Sequence, residues 1–402
     1  MDISKRKNDL ERLITKLDIT PTMYKNATEK YQAISSFLQN KGIDADFYPQ
    51  GSFRLGTVIR PYRGGKEGDY DLDVICKLTL KKEETTADKL KNLIGQELKN
   101  SEVYSDKLQP EMDRCWTLRY ADVSDGVGFM LDIVPSVHEN KLIIDGIIKN
   151  GVAPKYANEA IAITNLSDKG YSWAQSNPKG YALWFDQINK PFMEYNRETR
   201  RKQYFEEHRE IFASVEDIPA MLERSALQRV IQILKRHRDI YYTRANCWGL
   251  RPISAIITTI SSQIARNALV NLSVFELLEY VASELQVYAG LLEKDQSIFE
   301  QANQQRTFIK KFASKWHISN PVNPNDNYAD SWDDTTARRF FQWVTAAKSD
   351  FIDTLQLSEE RYINGLESGL GTDLLKEKSS AIKVVSSPII VSQTKPWSDN
   401  GR

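Results

Sequence analysis

The run GSFRLGT at residues 51–57, followed by DYDLDVICKL at 69–78, decides how this chain is read. From Asp69 onward the residues alternate: Tyr70, Leu72, Val74, Cys76 and Leu78 share one face, and Asp69, Asp71 and Asp73 share the other. That period of two predicts a half-buried strand with an acidic face. Asp71 and Asp73 lie two apart, so their α-carbons stand roughly 7 Å apart on one face and their carboxylates can converge on the same cations. In the turn predicted upstream, Gly51 and Gly56 let backbone amides approach a phosphate, while Ser52 and Thr57 supply hydroxyls. No G-K-[ST] follows the glycines, so this is not the Walker pattern.

A second apolar run, FMLDIVP at 129–135, carries Asp132. A carboxylate inside such a strand is costly unless a cation compensates it. Three carboxylates from two strands repel one another unless Mg²⁺ sits between them, and hard oxygen ligands suit Mg²⁺. Two such ions fit an in-line phosphoryl displacement. Taken alone, Asp71 and Asp73 read equally well as a solvated strand face; the glycine- and serine-bearing turn beside them is what points to nucleotidyl transfer.

Outward from this centre, residues 3–17 and 21–41 have helical periodicity, the second stretch stopped by Gly42. A helix is predicted at 86–99 and strands at 113–121 and 128–135, so residues 42–150 read as α+β. Beyond about 180 the predicted elements are helices, at 180–190, 193–212, 219–242, 252–268, 273–292, 295–313 and 333–355. The expected division is N-terminal helices bracing both lobes (1–41), a nucleotidyltransferase core (42–185), a helical lobe (186–375) and a C-terminal segment (376–402). That last segment has no periodicity and reads either as a tail or as a strand that docks late.

The 402 residues are 41% hydrophobic and 27% charged, enough to fill a core and solvate a surface. Lysine plus arginine and aspartate plus glutamate both number 54, so no net field holds a long polyanion and a DNA-coating protein is disfavoured. Cys76, Cys115 and Cys247 show no C-x-x-C pairing, which argues against a disulfide framework or a zinc ribbon and predicts a reducing, cytoplasmic setting. No apolar stretch reaches the length of a membrane span, and MDISKRKNDLERL lacks the apolar centre of a signal peptide. No membrane association is expected.

In this order and spacing, GSFRLGT, DYDLDV and FMLDIVP resemble the nucleotidyltransferase core of the DNA polymerase β superfamily. More specifically, the chain is similar to the bacterial cGAS/DncV-like nucleotidyltransferases, or CD-NTases, of anti-phage signalling. SNPKGYALWF at 176–185, LQRVIQILKRHRDIYY at 227–242, PISAIITTI at 252–260 and NPVNPNDNYADSW at 320–332 extend the resemblance over about residues 20–355. It implies an α+β fold: a polymerase β-like core of mixed sheet and helices, plus an α-helical C-terminal lobe that closes a two-lobed cleft.

The resemblance also implies roles. Asp71 and Asp73 would bind two Mg²⁺ ions, for which Mn²⁺ can substitute. Asp132 would complete one metal site and help deprotonate the attacking ribose hydroxyl. Gly51 and Ser52 would hold the β and γ phosphates, and Lys235 and Ser254 would reach the triphosphate. Ala255 replaces the aromatic that often follows the serine in relatives, which leaves the base-stacking residue open. The implied substrates are ribonucleoside triphosphates (ATP, GTP or pyrimidine nucleotides), joined into a cyclic di- or trinucleotide. No obligatory nucleic acid is implied, and the responding effector would be encoded separately. The rival readings are nucleotide addition to an RNA end or a protein, and a DNA-activated sensor like the animal relative.

Physical chemistry bears on the other residues. Pro252 suits a first helical position, which would put Ser254 in a first turn where amides and dipole favour an anion. The KRHR run at 235–238 reads by itself as a solvated helix face. The resemblance reverses that for Lys235, and Arg236 and Arg238 are expected as surface or secondary phosphate contacts. Asp69 is expected to support a loop, and His138 and His237 to lie on the surface or in packing. Phe340, Phe341 and Trp343 are expected in the core, and residues 196–210 as a solvated helix. SNPKG should mark the crossover into the helical lobe, with Pro178 and Gly180 shaping the turn.

Overall fold

Thr20 starts the second helix: its hydroxyl accepts from the Met23 N–H at 3.2 Å, and Pro21 takes the first helical position, where it needs no donor. The structure, a computed structural model, describes residues 3–63, 66–124, 127–212, 214–216, 222–304, 306–372 and 375. Helices α1 (Ile3–Thr15) and α2 (Pro21–Asn40) part company at this cap. Leu10, Leu13 and Ile14 of α1 join the core of the helical half, whereas Met23, Ala27, Ile34 and Leu38 of α2 pack on the sheet.

The α+β half runs β1 (Ala45–Pro49), α3 (Gly51–Arg54), a short hairpin of β2 (Tyr62–Arg63) and β3 (Lys66–Glu67), then β4 (Tyr70–Lys81), α4 (Ala87–Lys99), β5 (Trp116–Ser124) and β6 (Val127–His138). After α5 (Lys141–Lys149) and α6 (Pro154–Ala157) come β7 (Ile161–Ser167) and β8 (Gly170–Ser176). The main sheet has the order β1-β4-β6-β7-β8, with β5 paired to the first half of β6 and β7 to its end. The β4–β6 pair is parallel and its neighbours are antiparallel. As the alternation requires, Tyr70, Leu72, Val74, Cys76 and Leu78 are buried on one face, under α2 and α4. The opposite face is apolar only locally, where Ile75, Val134, Ile161 and Ile163 form a small cluster.

The second half comprises α7 (Pro178–Glu194), α8 (Arg197–Glu207), α9 (Ala226–Arg244), α10 (Ser254–Ala265), α11 (Val274–Val287), α12 (Gln296–Ala302), α13 (Asp334–Phe351) and α14 (Glu359–Leu370). Two small hairpins interrupt it: β9 (Lys310–Phe312) with β10 (Lys315–His317), and β11 (Ser319–Asn320) with β12 (Asn323–Asn327). Helix α9 is central, packed against α7, α10, α11, α13 and α14 and buried nearly all round. A capping box starts it: Ser225 Oγ accepts from Gln228 N, and Gln228 Oε1 accepts from Ser225 N.

The α+β class is the class found, and several elements differ in detail. GSFR is one turn of helix rather than an open turn. The helix expected at 295–313 ends at Ala302 and gives way to a strand. Pro191 does not divide α7, which runs on to Glu194. Periodicity did not announce β1, α5, α14 or the β7–β8 hairpin. Asn177 caps α7 and Pro178 is its first residue, so Gly180 lies within the first helical turn, where a β-carbon would meet Tyr156 O at 2.5 Å. Pro252 precedes the cap of α10, and Ser254 is the first helical residue. The C-terminal segment expected at 376–402 lies outside the described residues.

Candidate active site

Parallel pairing of β4 and β6 puts Asp73 directly opposite Asp132, and Asp71 opposite Met130. Asp71 is exposed, while Asp73 and Asp132 are partly buried. Burial pushes the Asp73 carboxyl up to about 7, with Asp132 and then Asp71 adding to the rise and Lys235 opposing it. Asp132 is also raised by burial. Across the antiparallel pair on its other side stands Thr117, whose hydroxyl donates to Asp132 Oδ1 at 2.5 Å. Cys115 Sγ lies 3.6 Å from Thr117 Oγ1, and the same carboxylate helps push its thiol up to about 12 after burial.

The loop ahead of β4 is held against these acids. Gln50 N donates to Asp73 O at 2.8 Å, so α3 begins beside the middle carboxylate. Gly51 has φ +61, and a β-carbon there would stand 2.6 Å from Asp73 Oδ2. From the other half, three side chains of α9 reach the segment that follows α3. Gln228 Nε2 donates to Leu55 O at 2.8 Å, Gln232 Nε2 to Val58 O at 2.9 Å, and Lys235 Nζ to Thr57 O at 2.8 Å. Positions 228, 232 and 235 share one helical face. Lys235 is 5% exposed, and burial followed by Arg238 pushes its ammonium down to about 8 against Asp239, Asp71 and Asp73.

Gly51, Ser52, Lys235 and Ser254 all line one cavity of about 270 Å³ between the halves. Arg238 Nη1 donates to Ser254 Oγ and to Pro252 O, each at 3.1 Å. Tyr181 and Tyr328 add aromatic wall, and Ala255 lies in the same wall. The three aspartates are not in that lining; Asp73 stands beside it at Gly51.

Among the described residues no three His, Cys, Asp or Glu side chains are gathered into a ready-made metal cage. The chemistry of the donor set nevertheless fits a hard divalent cation. Three carboxylates lie on adjacent strands, and the partly buried Asp73 is raised by desolvation first and then by the other two, a penalty that a cation relieves.

Outside the cleft, KRHR is not a solvated face. Arg236 is wholly buried, donating to Leu370 O and Arg60 O and lying 4.4 Å from the Tyr62 ring centroid; Arg238 is buried at the cleft. Neither is a surface contact, because α9 is enclosed by helices. His237 packs within α9 with Nε2 3.1 Å from Asp350 Oδ2, and the His138 nitrogens sit against the Glu139 and Asn158 carbonyls. Asp69 supports a loop, accepting from Gly128 N and facing Arg119. Phe340, Phe341 and Trp343 are buried, and α8 has no buried residue.

Residues 45–132, from the start of β1 to the third aspartate, match the family described as "Cyclic GMP-AMP synthase DncV-like, nucleotidyltransferase domain". This stretch is similar to DncV-like nucleotidyltransferase domains. Over 341 residues the chain is 28% identical to a c-di-GMP synthase of Roseivirga ehrenbergii, covering 82% of this chain and 75% of that one. The CD-NTase CdnG of Bradyrhizobium diazoefficiens, solved with GTP, superimposes with a TM-score of 0.65 at 21% identity, over 94% of this chain and 99% of that one. CdnC from E. coli MS115-1, in a complex with HORMA-deltaN, gives 0.55 at 12% identity, over 92% and 96%. These two likenesses establish a shared fold that reaches beyond the DncV-like domain into the helical half.

Thr117, Gln228, Gln232, Tyr181 and Tyr328 escaped the reading of the sequence. Thr117 had a usable signal: it alternates with Trp116 and Leu118 in a predicted strand near an isolated acid. The α9 glutamines had none, since two glutamines in a helix look like any solvated pair.

Proposed function

We propose that this chain is a cyclic oligonucleotide synthase that joins ribonucleoside triphosphates with release of pyrophosphate. The observation that carries the proposal is the abutment of the Gly51–Ser52 turn on Asp73, with Lys235 and Ser254 lining the same cavity from the helical half. A triphosphate needs such an arrangement: backbone and hydroxyl donors on one side, a cation on the other, and carboxylates beside the reacting phosphorus.

In this reading Ser52, Lys235 and Ser254 hold and orient the donor triphosphate, and Arg238 keeps the Ser254 hydroxyl in place. Asp71, Asp73 and Asp132 would hold two Mg²⁺ ions, or Mn²⁺, which when bound neutralise phosphate charge and acidify the acceptor hydroxyl. Asp132 takes the proton of the attacking ribose hydroxyl, with Thr117 engaging its Oδ1. Tyr181 and Tyr328 line the cavity in which the nucleotide would lie. The name of the Roseivirga relative makes a cyclic di-GMP product the first to look for. The setting we propose is bacterial anti-phage signalling in the cytoplasm, with a separately encoded effector that senses the product.

The test is incubation with all four ribonucleotides and Mg²⁺, without added nucleic acid, followed by mass spectrometry. A cyclic di- or trinucleotide that disappears in Asp71→Asn with Asp73→Asn is expected. No product, or only linear products, overturns the reading.

A further inference from the structure

A second cavity, away from the cleft, is larger than it. About 950 Å³ opens between the end of α1, helix α8 and the starts of α9 and α11, a volume that suits a nucleotide-sized molecule. Its lining holds six basic side chains, Arg12, Lys16, Arg200, Arg201, Arg224 and Arg229, against four glutamates, 11, 206, 207 and 223. Glu206 and Glu207 are exposed, and Glu206 is engaged by Arg209 at 2.6 Å.

The deeper groups share their counterions. Arg224, with a side chain only 2% exposed, and Arg229 both pair with Asp18, at 3.3 and 2.8 Å. Arg201 and Arg197 both pair with Glu223. Arg200 donates to the Tyr195 and Met193 carbonyls instead of to a carboxylate. Burial pushes Arg200 and Arg224 down from the usual guanidinium range, and neighbouring guanidiniums add to it.

A second, separate observation points the same way. Ser225, the cap of the 19-residue α9, lines this cavity and its capping box is closed by the neutral Gln228, so the positive end of α9 borders the cavity without a carboxylate in its cap, whereas Glu276 already meets the α11 start at Ser273. Three aromatic side chains, Phe192, Tyr195 and Tyr204, line it as well, among aliphatic and polar residues.

We infer that this cavity is a second binding site, separate from the cleft, for an anionic ring-bearing metabolite of nucleotide size. Its phosphate groups lie among Arg200, Arg201 and Arg229, and its ring lies against Tyr204 and Phe192. A mononucleotide and a cyclic dinucleotide share that chemistry, and the experiment separates them.

The full chain is titrated calorimetrically in EDTA with ATP, with cyclic di-GMP and with inorganic tripolyphosphate. The comparison is between the wild type, Arg200→Gln with Arg201→Gln, and Lys235→Ala as the cleft control. Expected is saturable binding of ATP or cyclic di-GMP that weakens at least about tenfold in the arginine variant, stays within about twofold in Lys235→Ala, and exceeds tripolyphosphate. Gln203→Trp, at the exposed rim, provides a readout that keeps both arginines: its added fluorescence should change saturably with the same ligand. The inference is overturned if neither ring-bearing ligand binds saturably, if tripolyphosphate binds as tightly, if binding follows Lys235 rather than the arginines, or if the rim tryptophan is silent.

Discussion

Gly51 and Asp73 are in contact without a side chain between them: a β-carbon on the glycine would stand 2.6 Å from Asp73 Oδ2, and the preceding amide donates to the Asp73 carbonyl. The turn expected to hold phosphate and the strand carrying the acids are therefore one rigid unit. Gly51→Ala should break it twice over. A non-glycine residue at φ +61 costs roughly 1–2 kcal/mol, and the methyl group must displace the carboxylate. Product formation should fall on the order of 100-fold, as small misplacements at a reacting centre do. Melting should drop only modestly, and an active Gly51→Ala enzyme would count against the assignment.

The elevated Asp73 carboxyl makes metal-free stability depend on pH. Its folded value of about 7 lies above the ordinary 3.8, so the folded state holds this proton more tightly. The sign is then fixed: the contribution is fully present below the ordinary value and is lost as pH rises through about 7. Asp73→Asn should melt with wild type at about pH 4 and above it at about pH 8.5 in EDTA. Mg²⁺ should remove the difference by stabilising the wild type alone.

Lys235 predicts the opposite limb. Its ammonium, pushed down to about 8, loses charge as pH rises through that value. Nucleotide affinity should therefore weaken above about pH 8, and Lys235→Met should bind weakly with that limb flattened. The KM for the nucleotide, measured against pH for both proteins, checks this.

Thr117 engages one oxygen of Asp132 at 2.5 Å and is its register partner. Thr117→Val keeps the shape and removes the donor. Loss of about 10- to 100-fold in activity is expected, the usual effect of removing such a supporting contact. Thr117→Ser should restore most of it. Equal melting temperatures for the two variants would place the effect in the carboxylate rather than in the fold.

Gln232 links three parts of the chain, donating to Asp18 Oδ1 at 2.7 Å and to Val58 O at 2.9 Å from the centre of α9. Gln232→Leu fills the space and leaves both acceptors buried, at a cost of about 1–3 kcal/mol. The 55–58 segment should loosen, raising the nucleotide KM more than it lowers kcat. Denaturant unfolding and steady-state kinetics on the same preparation separate the two effects.

Short windows of sequence carried the acidic strand and most of the helices. Strand alternation, helical periodicity and caps are local, so Asp71, Asp73 and Gly51 could be picked out from a dozen neighbours. Elements without such a signal were missed: the β7–β8 hairpin mixes polar and apolar residues on both faces, and 295–313 is too polar to betray its change from helix to strand. Contacts between distant parts were illegible for a different reason. Lys235 meets Thr57 across 178 positions, Gln228 meets Leu55 across 173, and nothing local in KRHR tells that α9 is buried nearly all round. Packing alone turns those charges from a wetted face into a buried wall, because only the folded chain decides which surfaces lose their water.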